Sequence, residues 1–559
     1  MRPQCLVVLR PFSMSKIMHT FSTIRSPLHT MSSRFALFAL GIGLMLSLFP
    51  ASAFAQNPPE PGPSPVPAPD NVLRLRADQG VTGTSEVTSW IDQSGSGNDA
   101  TTSSLTGPEF VSSLAGLNNQ PALLFERAND EALNVPDTDD INDDDNGYPQ
   151  RTITLAFRTG SDVNTRQIIY EEGGRVNGFN VYLESGSVVA SAWSESTGWN
   201  DHYSISQAVS PNTSYIVTFV FDSTLSSDQL EFFVDGTSAG TVTDASIVEM
   251  SVHGGDIAIG NVLEDTQFDG SPVTEIDGSG GEGFTGHVAE VILSNDALNT
   301  AQRQILESDL SERYAVTIAD DRYGFPNALG EIRGIGQAAD GTRQTEAASG
   351  RLSFAAPAFS GTDFALVGHN ENAESFISDT DPTNIGERLD RVWRYDETGS
   401  PSFDLEFDVS GLPSLASGQT YELLVEDDET FSGSATVVSG TLSGTTFTVS
   451  SASLSSLSDG DYLTLAKTAT TGPSSLTYTP NPLEELESNI GASGITATPT
   501  VDGVTGSING YSISAGSDAD AGGTAVSFGP NDDATPDDVE IDPSTGEITV
   551  TDNAPVGEY

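Results

Sequence analysis

The stretch Tyr215-Ile-Val-Thr-Phe-Val-Phe221, then Leu230-Glu-Phe-Phe-Val234 and Asp235-Gly236, decides the fold class. Tyr215, Val217, Phe219 and Phe221 recur at period two, as do Leu230, Phe232 and Val234. That is the period of a strand, whose successive side chains point to opposite faces. Asp-Gly supplies the left-handed residues a tight hairpin turn needs. The pattern repeats outward from this hairpin. Ile153, Leu155 and Phe157 alternate with Thr152, Thr154 and Ala156, and Ile257 and Ile259 continue the habit. Many short runs separated by Gly, Asn, Asp and Ser predict an antiparallel sandwich from Asn71 to about Gly324. One helix is expected near its end, capped by Asn295 or Asp296, with Leu298, Ala301, Ile305 and Leu310 at helical spacing.

The chain has 559 residues, enough for roughly two to four domains. It carries 79 acidic against 22 basic residues, a net charge of −57. Only Lys16 and Lys467 are lysines, and Cys5 is the one cysteine. Charge-driven nucleic-acid binding is excluded, because phosphates would be repelled. A disulfide scaffold is excluded by the cysteine count. A P-loop is excluded because neither lysine follows a glycine.

Residues 1–55 contain no Asp or Glu. Arg34 precedes an apolar run from Phe35 to Phe49, and Ala53-Phe54-Ala55 offers the small residues a signal peptidase reads. This predicts a secretory signal peptide cleaved after Ala55, with residues 1–30 an extension ahead of a true start at Met31. The run of 15 residues is shorter than the ~18–20 of a spanning helix, so no transmembrane segment is expected in the mature chain. Residues 56–70 hold seven prolines and read as an extended linker.

The mature chain keeps 17 basic and all 79 acidic residues, a charge of −62. Such a surface repels itself unless salt shortens the screening length from ~10 Å at 0.1 M to ~3 Å at 1 M. The acidic excess and the near absence of lysine resemble proteins of extreme halophiles. The rival reading is a polyanion that binds calcium or a basic partner.

Four motifs carry a family resemblance. Val87-Thr-Ser-Trp90-Ile-Asp92-Gln-Ser94-Gly95-Ser-Gly97-Asn98-Asp99-Ala100 and Pro121-Ala-Leu-Leu-Phe125 resemble the opening of the LamG-like jelly-roll modules of bacterial surface proteins. Arg166-Gln-Ile-Ile-Tyr-Glu-Glu-Gly-Gly174 resembles their central motif, and Phe284-Thr-Gly286-His-Val-Ala-Glu290-Val-Ile292 their closing strand. The resemblance spans 71–325 and implies a concanavalin A-like sandwich. Residues 327–468 read as a second β-rich module of unknown function. Phe403, Leu405 and Phe407 alternate there with Asp404, Glu406 and Asp408, and the stretches around Gly334, Phe364 and Trp393 resemble a module often found after such jelly rolls. In 474–559, Ile541-Asp-Pro-Ser-Thr-Gly546-Glu-Ile-Thr-Val550 resembles a cadherin-like or Ig-like repeat, expected here to be truncated.

Candidate sites are few. Trp193, Trp199 and Tyr203 lie close together with Asn200, Asp201 and His202 among them. Aromatic faces beside amides and carboxylates suit a sugar-binding loop, whereas Trp193 also fits a core-facing strand position. Asn142, Asp143, Asp144 and Asp145 are dense in hard oxygen ligands for calcium, although an EF-hand reading fails because Ile153 stands where its last glutamate belongs. The alternative is a solvated acidic loop. Glu275-Ile-Asp277 resembles the catalytic strand of laminarinase-type glycosidases, but the glycine-rich run after it would leave Glu282 unplaced, so an acidic loop is expected. Gly334-Ile-Gly336 is read as a turn, because no apolar strand leads into it as a dinucleotide site requires.

These readings predict an all-β, secreted or cell-surface, multidomain adhesion protein. It would be non-catalytic and bind an extracellular carbohydrate or protein through the jelly roll. A glycosidase or lyase on the same sandwich and a ligand-free structural stalk are the alternatives.

Overall fold

The computed structural model describes residues 71–469, apart from 103–104, 143–146, 264, 270–273, 277–281, 326–329, 380–381, 383, 417, 432–434. Beyond 469 it describes six strands only.

The period-two runs form two facing sheets. An eight-stranded sheet runs in the order Thr237–Val242, Leu230–Val234, Ser214–Asp222, Gln150–Thr159, Gly286–Ser294, Gln120–Phe125, Glu109–Leu114, with Asn71–Arg76 also on Gly286–Ser294. Its partner has nine strands, from Tyr203–Ala208 through Ser187–Ser194, Asn177–Glu184 and Gln167–Gly173 to Val81–Thr82. Register fixes which residues face inward. Leu155 sits opposite Val217, and Ile153 opposite Phe219. These side chains meet Phe179, Val181 and Leu183 of the other sheet in one buried core. Phe179 lies 6.1 Å from Phe219 and 5.6 Å from Phe221, ring centre to ring centre.

The inner face also contains ions. Glu172 faces Arg151 at 3.0 Å, accepts from Tyr170 Oη at 2.8 Å and lies 3.3 Å from His253 Nε2. Burial alone would raise the Glu172 pKa, but Arg151 and His253 hold it below its usual value.

The helix, α1, covers Thr300–Tyr314. Its cap is Asn299 rather than Asn295 or Asp296. Asn299 accepts from the Gln302 backbone, and the Gln302 side chain reaches back to Asn299 in a capping box. Asn295 is instead bonded to the Asp140 carbonyl, and the Leu298 backbone to Thr152, so the chain there still belongs to the sheet. Leu306, Leu310 and Tyr314 pack on Ala156, Ile216 and Ile292, the outer face of the eight-stranded sheet. The opposite side of α1, Ala301 and Ile305, packs on Ile332, Phe364 and Leu366.

Those last residues belong to a second sandwich. Its larger sheet includes Arg333–Gln337, Asp363–His369, Trp393–Thr398, Tyr421–Glu426 and Tyr462–Thr468. A five-stranded sheet centred on Leu352–Ala358 and Ser402–Asp408 faces it across Leu405, Phe407, Trp393 and Leu423. Gly334-Ile-Gly336 is not a turn but the middle of Arg333–Gln337. A Cβ on Gly336 would stand 2.1 Å from the Phe364 ring, and one on Gly334 would stand 2.5 Å from the Ala365 carbonyl. The glycines serve close packing, which composition alone disguises as a loop. The six strands after 469 pair in one path, with Val539–Ile541 antiparallel to Ile548–Val550. No helix among the described residues is long and apolar enough to cross a membrane.

Candidate functional site

On the nine-stranded sheet, Ser187–Ser194 alternates in direction. Val188, Ala190 and Ala192 enter the core, so Trp193 lies on the outer face. Trp193 pairs in register with Gly178, whose missing side chain makes room for it. A Cβ on Gly178 would meet the indole at 2.9 Å and the Glu172 carbonyl at 2.4 Å. The Trp193 Nε1 donates to the Gly174 carbonyl at 3.0 Å.

After Ser194 the chain turns tightly. Gly198 (φ +80°) donates to the Glu195 carbonyl at 3.1 Å, and the Trp199 amide to the Ser194 carbonyl at 3.0 Å. The turn swings Trp199 back over the end of the core, 5.7 Å from Phe221 and 6.0 Å from Tyr203. Asn200 then anchors the loop, its backbone donating to Ser246 Oγ at 2.9 Å and its side chain to Asp244 at 3.1 Å. His202 packs on Trp193 with ring centres 5.0 Å apart.

These turns enclose a pocket of about 240 Å³ lined by Trp193, Ser194, Glu195, Trp199, Asn200, Asp201, His202 and Gln267. Its floor is buried: Trp193, Trp199 and His202 are 1%, 8% and 7% exposed. Glu195, Asn200 and Asp201 are exposed at its rim. Gln267 arrives from the strand Thr266–Phe268 and donates to Glu195 at 3.1 Å. Among the described residues, Trp199 Nε1 and both ring nitrogens of His202 have no hydrogen-bond partner. Burial pushes the His202 pKa down to about 4 despite Asp269 and Asp201, so the imidazole is neutral at neutral pH, with one donor and one acceptor. Buried polar groups are ordinarily paired; these nitrogens are shut off from solvent beneath the pocket residues and lack partners.

Of the residues singled out for sugar binding, Trp193, Trp199 and Asn200 therefore line one pocket. Tyr203 stands beside Trp199 and is engaged with Ser246 at 3.2 Å. The sequence places His202 inside this cluster without giving it a role, and it does not point to Gln267, which is brought in from a distant hairpin. Asp201 stands out in the sequence as part of this cluster, whereas Glu195 is visible there only as one more acid among 79.

For the calcium reading, Asp143, Asp144 and Asp145 lie outside the described residues. Asn142 is buried at 1% exposure. Its Oδ1 accepts from the His253 backbone at 3.3 Å, and its Nδ2 donates to Asp137 at 3.2 Å and to the His253 carbonyl. Among the described residues, no group of three or more His, Cys, Asp or Glu side chains is placed to hold a metal ion. Glu275 belongs to a hairpin strand, Thr274–Ile276, paired with Thr266–Phe268, not to an open loop.

A family model described as "Domain of unknown function (DUF8202)" matches residues 341–461, within the second sandwich. No curated protein matches the sequence. Among solved structures, the chain is similar to the CBM40 of the Ruminococcus gnavus IT-sialidase bound to α2,3-sialyllactose, at 16% identity and a TM-score of 0.23, covering 29% of this chain and 83% of that one. It is similar to the binding domain of Paraclostridial Mosquitocidal Protein 1, at 10% identity and a TM-score of 0.31, covering 71% and 97%. It is also similar to domain 4 of a GH43 extracellular arabinanase from Geobacillus stearothermophilus in complex with arabinotriose, at 10% identity and a TM-score of 0.27, covering 43% and 98%. Likenesses this distant carry no functional argument; the site has to be judged on its own geometry.

Proposed function

We propose that the protein is a secreted or cell-surface adhesion protein whose LamG-like jelly roll binds an extracellular carbohydrate reversibly, without catalysis. One observation carries this reading: two tryptophans, a neutral histidine and two amides converge on one pocket. Indole edges and faces pack against the CH groups of a sugar, while Asn200 and Gln267 can exchange hydrogen bonds with its hydroxyls. The pocket is smaller than the ~300–1,000 Å³ of drug-sized ligand sites, so it suits one terminal ring rather than the middle of a chain.

The acids of the pocket favour binding over hydrolysis. A glycosidase needs one carboxyl kept protonated, commonly by burial. Glu195 and Asp201 are both exposed to water. The second sandwich, stacked through α1, serves as a spacer.

A glycan array probed with the protein in molar NaCl tests the reading. Selective binding that Trp199→Ala abolishes while the fold persists is expected. Uniformly blank binding would favour a structural stalk, and release of reducing sugar by the pure protein would favour an enzyme.

A further inference from the structure

The pocket carries a sign as well as a shape. Its rim holds two carboxylates, Glu195 and Asp201, and among the described residues its lining contains no lysine or arginine; Arg175 borders it only through its backbone carbonyl, which accepts from Gln267 Nε2. Asp244 joins Asn200 at 3.1 Å just behind the rim, and Asp269 bonds Ser204 on the neighbouring strand. The groups that can meet a ligand at the floor are neutral. Carboxylated or sulfated sugars are ordinarily held by arginine or lysine, whose charge offsets the cost of stripping water from the anion. No side chain among the described lining residues performs that task, and the whole chain, at −57, adds repulsion.

Building on the carbohydrate reading above, we infer that the pocket selects uncharged sugar rings and rejects anionic ones, through Glu195 and Asp201. Both carboxylates are solvated, so their repulsion depends on ionic strength. In water, one carboxylate about 4 Å from an anionic group weakens binding roughly fivefold, so two should give at least about tenfold discrimination at low salt. In NaCl of about 1 M, where the screening length is only ~3 Å, the gap should narrow to a few fold.

The test is an array of neutral oligosaccharides paired with their sialylated, uronate and sulfated counterparts. It is read at the lowest salt that keeps the protein folded by circular dichroism, and again in molar NaCl. Binding of neutral glycans, with the anionic member of each pair at least about tenfold weaker at low salt and the gap closing with salt, is the expected result. The double variant Glu195→Gln/Asp201→Asn keeps an acceptor oxygen for Gln267 and for the His202 backbone, the bonds those side chains make now. It should close the gap even at low salt. Equal or tighter binding of the anionic members would overturn the inference and leave the carbohydrate reading standing. Absence of binding to every glycan would overturn both.

Discussion

Replacing Arg74 by methionine should destabilise the protein by about 3 kcal/mol, the lower end of what breaking a buried ion pair costs. Arg74 is fully buried on the first strand of the sandwich. Its Nε lies 2.7 Å from Glu290, its Nη2 3.3 Å from Asp309 on α1, and its Nη1 2.9 Å from Glu331 in the second module. Methionine fills much of the volume but leaves three carboxylates short of a cation. The loss is tempered because each keeps other partners. Glu290 retains the Tyr314 hydroxyl at 2.8 Å and Arg313 at 3.7 Å. Asp309 retains Arg313 at 3.2 Å and the Ile332 amide at 2.9 Å. Glu331 retains Arg76 at 2.7 Å. For a unit of this size about 3 kcal/mol lowers the melting temperature by roughly 6–12 °C.

The same substitution should move the acid limb of stability. Burial alone would raise the Asp309 pKa, but Arg313, Arg74 and Arg333 hold it down to about 2, against an ordinary 3.8. A depressed folded-state pKa gives stability that is present above the unfolded value and lost as pH falls through the folded one. In Arg74→Met, Asp309 should titrate higher and acid unfolding should begin at higher pH. Calorimetric melts at fixed salt between about pH 2 and pH 7 check both effects. A variant within about 2 °C of the parent at neutral pH, with an unmoved acid limb, would refute this account of the network.

Three further outcomes are expected. Asn299→Ala removes the capping box of α1 and should cost about 1 kcal/mol in a denaturant titration, with an unchanged slope. Asp396 accepts from the Gly324 amide at 2.6 Å, and burial raises its pKa to about 6. Its contribution is fully present below the ordinary 3.8 and lost as pH rises through about 6, so Asp396→Asn should melt above the parent near pH 8 and level with it below about pH 3.5. The acidic surface should make melting strongly salt-dependent, and equal melting temperatures in about 0.1 M and 3 M NaCl would count heavily against a halophilic role for the charge.

The sandwich was legible because period-two alternation survives wherever one sheet face is buried and the other is not. Ile153, Leu155 and Phe157 announce their strand in that way. The helix register was harder to read because α1 is buried on two sides. Ala301 and Ile305 meet the second module while Leu306 and Leu310 meet the sheet, so no single apolar stripe marks its start. Arg333–Gln337 was hidden because Gly334 and Gly336 satisfy their packing by having no side chain. The site was half legible. Trp193, Trp199 and Asn200 are neighbours in sequence, and the turn at Gly198 keeps them neighbours in space. Gln267 comes from a hairpin whose position depends on tertiary pairing, and His202 matters through burial, which no spacing rule reports.

The two outer faces of the jelly roll are put to different uses. The eight-stranded sheet gives its outer face to α1, which carries the second sandwich on its far side. The nine-stranded sheet keeps the pocket on its own outer face, where Trp193 points away from the core. Stacking a further module therefore does not cover the pocket. It also means that the boundary at residue 326 is not an energetic boundary. The buried face of α1 and the Arg74–Glu331 pair both cross it, so a chain cut there would expose Ala301 and Ile305 and leave Arg74 with one carboxylate fewer. A linker that merely tethered two domains would have neither feature. The shared helix and the shared ion network hold the second sandwich at a fixed place relative to the face that carries the pocket.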